Sequence, residues 1–218
     1  LAVELAETAA LVGASDQAAA ARARLLTDPL LARHTPQDTY RRLLVHAETP
    51  FYAPFVVAGP EYVRAQRDEA LQLSAYDDAA ILLDQQVVEI FPDGGAWRYV
   101  HALILVRTPA GADLFGEVAV GAGAEILRVR TLHDDGSTSE PEDHPQKDAL
   151  SMMGLVPGDT VELEYVHPLA PRAMLAPELL LDTFFFQSYQ APTVRSSWTV
   201  LLPAEGGPSA PLIDTHGD

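Results

Sequence analysis

Two apolar-rich runs between Ala79 and Arg107 are separated by the tetrapeptide Pro-Asp-Gly-Gly at 92–95. Turn residues between two such runs are the short-range signature of a β-hairpin. Similar turn chemistry recurs at 133–136 (His-Asp-Asp-Gly) and at 157–159 (Pro-Gly-Asp). This repetition predicts that roughly two-thirds of the chain is antiparallel β structure.

The sequence before the first hairpin predicts helices. Thr35 before Pro36 is a helix-start signal, and 61–73 can form a further helix after three prolines. Apolar residues recur at helical spacing at Leu1, Leu5, Ala9 and Val12. We therefore predict a helical region over 1–74, of a size that suits a remnant of a helical repeat. We find no convincing tetratricopeptide recurrence in it.

Strict alternation of apolar and acidic residues marks 161–165 as a β-strand. Val161, Leu163 and Tyr165 are expected to face the core. Glu162 and Glu164 point the other way, so we expect them to face solvent. Strands of this kind predict antiparallel β structure over 75–203, which gives a fold in two parts, α then β.

A second alternating strand, over 125–133, places arginines at 128 and 130. Opposite charges across a β ladder stabilise a pair of strands. We therefore expect the two strands to be neighbours, with Arg128 and Arg130 paired to Glu162 and Glu164.

The run over 100–106 is apolar on both faces, which is typical of a central, doubly covered strand. His101 lies within it, and we interpret it as a hydrogen-bonded structural histidine. A last strand runs over 194–202 between two prolines. The Gly- and Pro-rich segment 204–218 is interpreted as a linker or a truncated final strand.

The net charge of −17 at pH 7 falls mostly after Asp77. A surface this acidic repels phosphate groups, so neither nucleic acid nor an anionic membrane is an expected partner. The longest apolar runs are too short to span a bilayer. The chain contains no cysteine, which excludes disulfides, thiolate metal sites and thiol nucleophiles within it.

Compact catalytic motifs are missing: the sequence has no Walker loop, G-x-S-x-G, H-E-x-x-H or S-x-x-K. We therefore expect no catalytic residue and no cofactor. The acidic stretch after His133 is the one cluster with the oxygen density that calcium requires. Its weak candidate metal ligands are Asp134, Asp135, Glu140, Glu142, Asp143 and His144. Because they lack alternating spacing, we favour a solvated loop.

Three consecutive phenylalanines precede the last strand. Consecutive aromatic residues in an extended segment point to both faces, so one side needs a cover. That cover is either another part of the chain, the interpretation we favour, or a partner protein. The residues of this candidate interaction surface are Phe184, Phe185, Phe186 and Tyr189.

Several motifs together resemble those of one known family. They are ILLD at 81–84, FPDG at 91–94, TLHDDG at 131–136, LVPGDTVELEY at 155–165, and FQ at 186–187 followed by the Trp198 strand. On these residues, about 77–203 resembles the uncharacterised β domain found directly upstream of transglutaminase-like domains in bacterial multidomain proteins.

The resemblance implies that 75–203 is an antiparallel β-sandwich. In the family this domain is often preceded by helical repeats and followed by a cysteine-dependent catalytic domain, in proteins that are frequently exported to the cell envelope. The family has no established catalytic residues to carry over. Our hypothesis is therefore a non-catalytic structural or interaction module of a larger transglutaminase-like protein, whose partner is the downstream domain of the same polypeptide. The alternative is an independent ligand- or metal-binding, or hydrolytic, β domain that uses the acidic loop 134–148.

Overall fold

The computed structural model describes residues 50–90, 96–121, 123–143, 149–169 and 183–202. The chain divides into two compact units, Leu1–Phe55 and Val56–Asp218. The described part of the first unit contains one 3₁₀ turn, Ala53–Phe55. The helices predicted before residue 50 and the segment 204–218 lie outside the described residues.

The second unit holds the helices and strands that are described here in detail. Its helices are α1 (Gly59–Leu73) and α2 (Pro109–Phe115). Its strands are β1 (Ala79–Ile90), β2 (Ala96–Val106), β3 (Glu117–Val118), β4 (Glu125–Leu132), β5 (Thr138–Ser139), β6 (Glu142–Asp143), β7 (Leu150–Ser151), β8 (Thr160–Leu169) and β9 (Ser196–Leu201). The helix predicted over 61–73 is confirmed as α1, and it belongs to the same compact unit as the strands.

A six-stranded sheet with the order β5-β4-β8-β2-β1-β9 forms the centre of this unit. β1 and β2 pair antiparallel, which confirms the two strands of the predicted hairpin, and its predicted turn at 92–95 lies outside the described residues. β9, however, runs parallel to β1, so the sheet is mixed and the prediction of purely antiparallel structure was wrong for the last strand. Parallel pairing needs a long crossover, and the connection from Leu169 to Ser196 is long enough to supply one.

The second sheet is small, with the order β3-β7-β6 and two residues in each strand. The unit is therefore mostly β, with one large sheet and one small sheet rather than two sheets of similar size. Met152 and Leu150 bring the small sheet against Val129 and Val161 of the large one. This packing covers part of one face of the large sheet.

Helix α1 covers part of the opposite face. Val63 and Ala70 of the helix pack against Leu83, Leu103 and neighbouring apolar residues of β1 and β2. The run over 100–106 is buried on both sides at most positions, as predicted for a central strand. Among the described helices, none is long and apolar enough to cross a membrane.

Glycines occupy the two remaining predicted turns. Gly136 has a φ of 85°, and its N–H donates to the His133 carbonyl at 2.9 Å. Gly158, with a φ of 101°, precedes β8. Both φ values lie in a region that residues with a Cβ rarely adopt. Turn chemistry in the sequence therefore located both loops correctly.

Candidate functional site

A group of polar and charged side chains lies in the middle of the sheet, on the face that α1 covers. Residues two apart on a strand share a face, and three adjacent strands each contribute two of them. We call this set the buried polar cluster after its four buried members, which are Tyr99 and His101 on β2 and Glu162 and Glu164 on β8. Its other two members, Arg128 and Arg130 on β4, keep 41% and 22% of their side chains exposed.

The arginines of β4 lie directly opposite the glutamates of β8. Arg130 Nε donates to Oε2 of Glu162 at 2.6 Å. Arg128 Nη1 lies 3.1 Å from Oε2 of Glu164 and 3.7 Å from Oε1 of Glu162. The predicted cross-strand pairing of these four residues is confirmed.

The expectation that the two glutamates face solvent was wrong. Glu162 is 0% exposed and Glu164 is 4% exposed. The reason is that the first turn of α1 lies on this face: a Cβ added to Gly59 would be 2.7 Å from Cδ of Glu162. Only glycine lets the helix approach the carboxylate so closely.

His101 is fully buried, and its Nε2 lies 3.2 Å from Oε1 of Glu162. The Tyr99 hydroxyl donates to Oε1 of Glu164 at 2.9 Å. His101 is therefore a buried, hydrogen-bonded histidine of the central strand, as predicted. Its other ring nitrogen, Nδ1, is buried and has no hydrogen bond from any described residue.

This arrangement shifts the pKa of the Glu162 carboxyl. Burial opposes its ionisation, but hydrogen bonds from His101 and Arg130, together with the charge of Arg130, outweigh that cost. They hold the pKa of the Glu162 carboxyl below its ordinary value. Glu162 is therefore kept as a buried carboxylate with its charge compensated.

The distances alone resemble those of a metal site, because one ligand atom from each of His101, Glu162 and Glu164 lies within 4.8 Å of the others. The charges oppose this interpretation. Two guanidinium groups already pair with the two carboxylates, so a divalent cation would add two uncompensated positive charges to a buried group. The cluster fits a closed structural network better than a metal centre.

The described carboxylates of the acidic stretch between β4 and β7 do not converge on one point. Asp134 pairs with Arg67 of α1, with Oδ1 and Nη2 2.9 Å apart. Asp135 accepts hydrogen bonds from the hydroxyl and the backbone N–H of Ser137, and these lower the pKa of its carboxyl. The two aspartates therefore serve different local contacts.

The remaining candidates of this stretch are placed only in part. Glu140 and Glu142 are exposed, and Glu142 begins β6. The side chain of Asp143 and all of His144 lie outside the described residues. His133, which precedes the stretch, contacts Asp159 directly before β8, and its Nδ1 lies 3.1 Å from Oδ1 of Asp159.

The aromatic segment before β9 is divided between packing and exposure. Phe184 stacks on Trp198 of β9, with ring centroids 6.3 Å apart and planes 6° apart. It also forms a T-shaped pair with Phe186, with ring centroids 4.8 Å apart. Phe185, Phe186 and Tyr189 are 62%, 53% and 97% exposed. We call Phe184, Phe185, Phe186 and Tyr189 the aromatic surface.

Comparisons with known proteins add little to this geometry. Neither a family model nor a curated protein matches the chain. A partial similarity exists to the crystal structure of a "putative protease" from Parabacteroides distasonis, with 17% identity and a TM-score of 0.37. It covers 43% of this chain and 23% of that protein, so the chain spans less than a quarter of the length of that structure.

Sequence reasoning missed the buried polar cluster as a unit. It paired the arginines with the glutamates correctly but placed the two glutamates at the surface. The available signal was the histidine of the central strand, because a buried polar ring needs a partner on a neighbouring strand. Glu162 of β8 is that partner for His101, and Glu164 is the acceptor for the Tyr99 hydroxyl.

Proposed function

We propose that this chain is a non-catalytic structural and interaction module of a larger transglutaminase-like protein, with the small sheet and the large sheet forming a reduced β-sandwich. Its aromatic surface contacts the downstream domain of the same polypeptide. The observation that carries the proposal is the exposure of Phe185, Phe186 and Tyr189 within one short segment.

Large exposed aromatic groups concentrated in one place are typical of protein interfaces, because burying them against a partner removes apolar area from water. The segment is also held in position before any partner arrives. Ser196 Oγ donates to the Phe186 carbonyl at 2.8 Å, and Phe184 stacks on Trp198. A pre-positioned surface loses less entropy on binding than a mobile one.

The state of the buried polar cluster supports a non-catalytic role. Its histidine and its two glutamates, the side chains best suited to acid–base chemistry, bind one another or neighbouring residues beneath α1. A general base must instead reach a substrate. A cysteine nucleophile would have to come from another part of the parent protein, since this chain contains no cysteine.

The proposal is tested by measuring binding of the 218-residue chain to the domain encoded directly downstream of it, produced separately, by isothermal titration calorimetry. The double variant Phe185→Ser/Phe186→Ser should bind at least tenfold more weakly, because hot-spot aromatics each contribute on the order of 1 kcal/mol or more. Tyr76→Ser is the matched control, since Tyr76 is a fully exposed aromatic residue remote from this segment in sequence.

Equal affinities of the wild-type chain and the double variant would refute the aromatic surface as the contact. A parent gene without a transglutaminase-like domain would refute the larger assignment. Circular dichroism of each variant establishes that a loss of binding does not come from unfolding.

A further inference from the structure

The two edges of the six-stranded sheet differ in how they are protected against pairing with another strand. β5 has only two residues, and Asp134, Asp135 and Glu140 lie close to it in sequence. Short length and nearby charge are the usual protections of an edge. β9 has six residues, Ser-Ser-Trp-Thr-Val-Leu, with no charge and no proline. It is longer than β5, and the one charged residue of its flanking segment 183–202 is Arg195, directly before it.

The hydrogen bonds to β1 show which backbone groups of β9 point outward. The Asp84 N–H donates to the Arg195 carbonyl at 2.9 Å, and Asp84 is in register with Ser196. Because successive residues of a strand point their N–H and C=O groups to opposite sides, residues 197, 199 and 201 face β1. Ser196, Trp198 and Val200 therefore direct theirs away from the sheet, where no strand among the described residues pairs with them.

The charge of the surrounding segment is also unusual for this chain. Residues 183–202 contain no aspartate or glutamate and one cation, Arg195, although the whole chain carries a net charge of −17. The depletion of charge coincides with the weakly protected edge of β9 and with the aromatic surface. An occupant of this edge needs no cationic side chains, and apolar side chains on it would match the neighbouring phenylalanines.

We propose that the outer edge of β9 receives an extended, uncharged segment of the partner protein as a seventh strand, whose side chains pack beside the aromatic surface. This inference rests on the proposed function and names the mode of binding. Backbone hydrogen bonds to Ser196, Trp198 and Val200 would supply affinity, and contacts with Phe185 and Phe186 would supply selectivity.

A pair of substitutions at one residue tests the backbone contribution. Val200→Pro removes an outward N–H while leaving the bonds to β1, and proline is tolerated on an edge strand whose N–H faces outward. Val200→Ala is the matched control, because it loses the same packing against Val88 and Ile90 but keeps the amide. We expect the proline variant to bind the separately produced downstream domain at least tenfold more weakly than the alanine variant.

Equal binding of the two Val200 variants would overturn the added strand. The proposed function would still stand in that case if Phe185→Ser/Phe186→Ser bound weakly. Absence of binding by the wild-type chain would instead refute the proposed function, and the added strand with it. The two failures are therefore distinguishable.

Amide hydrogen exchange followed by NMR identifies the occupant of the edge. We expect the amides of Ser196, Trp198 and Val200 to exchange at least tenfold more slowly when the downstream domain is added. Protection that rises with the concentration of the chain alone would mean that a second copy occupies the edge. Protection already present in the dilute chain would mean that its own residues do. Either result would overturn the inference.

Discussion

Removing one partner of the buried polar cluster should destabilise the fold strongly. Arg130→Met leaves the Glu162 carboxylate without its 2.6 Å hydrogen bond from Nε, while the methionine retains much of the aliphatic volume. Breaking a fully buried ion pair from one side costs about 3–5 kcal/mol, because the remaining charge is left uncompensated. Arg130 keeps 22% of its side chain exposed, and His101 still binds Glu162, so we expect the lower end, about 3 kcal/mol.

The assay is equilibrium unfolding in urea followed by tryptophan fluorescence, for which buried Trp97 is a reporter. The double variant Arg130→Met/Glu162→Leu should recover about 2 kcal/mol of the loss, because an apolar pair leaves no buried charge. Arg64→Met is the matched control. Arg64 and Glu61 form an exposed pair, with side chains 73% and 66% exposed, and its loss should change stability by no more than about 0.5 kcal/mol.

The reasoning would be refuted if Arg130→Met were as stable as Arg64→Met. It would also be refuted if the double variant were less stable than Arg130→Met, since the uncompensated carboxylate would then not be the cause of the loss.

Two further predictions concern the same carboxylate. Replacing glycine with alanine usually stabilises a helix. Gly59→Ala should instead lower the free energy of unfolding by about 1–3 kcal/mol, because the added Cβ overlaps Glu162. In a Glu162→Ala background the same substitution should become stabilising. Because the pKa of Glu162 is lower in the folded state than in the unfolded chain, its contribution to stability is present above the ordinary glutamate value of 4.5 and is lost as the pH falls below it. Urea titrations between pH 3 and about 7 should therefore show a steeper acid loss for the wild-type chain than for Glu162→Gln, and parallel curves would contradict the assignment.

The β1–β2 hairpin and the turns at Gly136 and Gly158 follow from local rules. A turn needs glycine where φ is positive, and a strand needs alternation, so both leave a signal within a few residues. The pairing of Arg128 and Arg130 with Glu162 and Glu164 was predictable for a similar reason: two alternating strands with opposite charges match in only one sensible register.

The direction of β9 was not predictable in this way. A strand has the same pattern whether it runs parallel or antiparallel to its neighbour, and the long connection after β8 allows either. The aromatic surface was recognised from its composition. Its division into a packed Phe184 and exposed Phe185 and Phe186 depended on where Trp198 lies.

The sequence by itself determined which side chains share a face of the sheet, because the period of a strand is a local property of the backbone. Only the tertiary structure decided whether that face is exposed to solvent or buried. Glu162 and Glu164 are buried because α1 begins at Gly59 directly over the first of them, and this contact joins residues about a hundred positions apart. The hairpin that first identified the sheet thus forms two strands of a structure whose buried charges depend on a helix that precedes it.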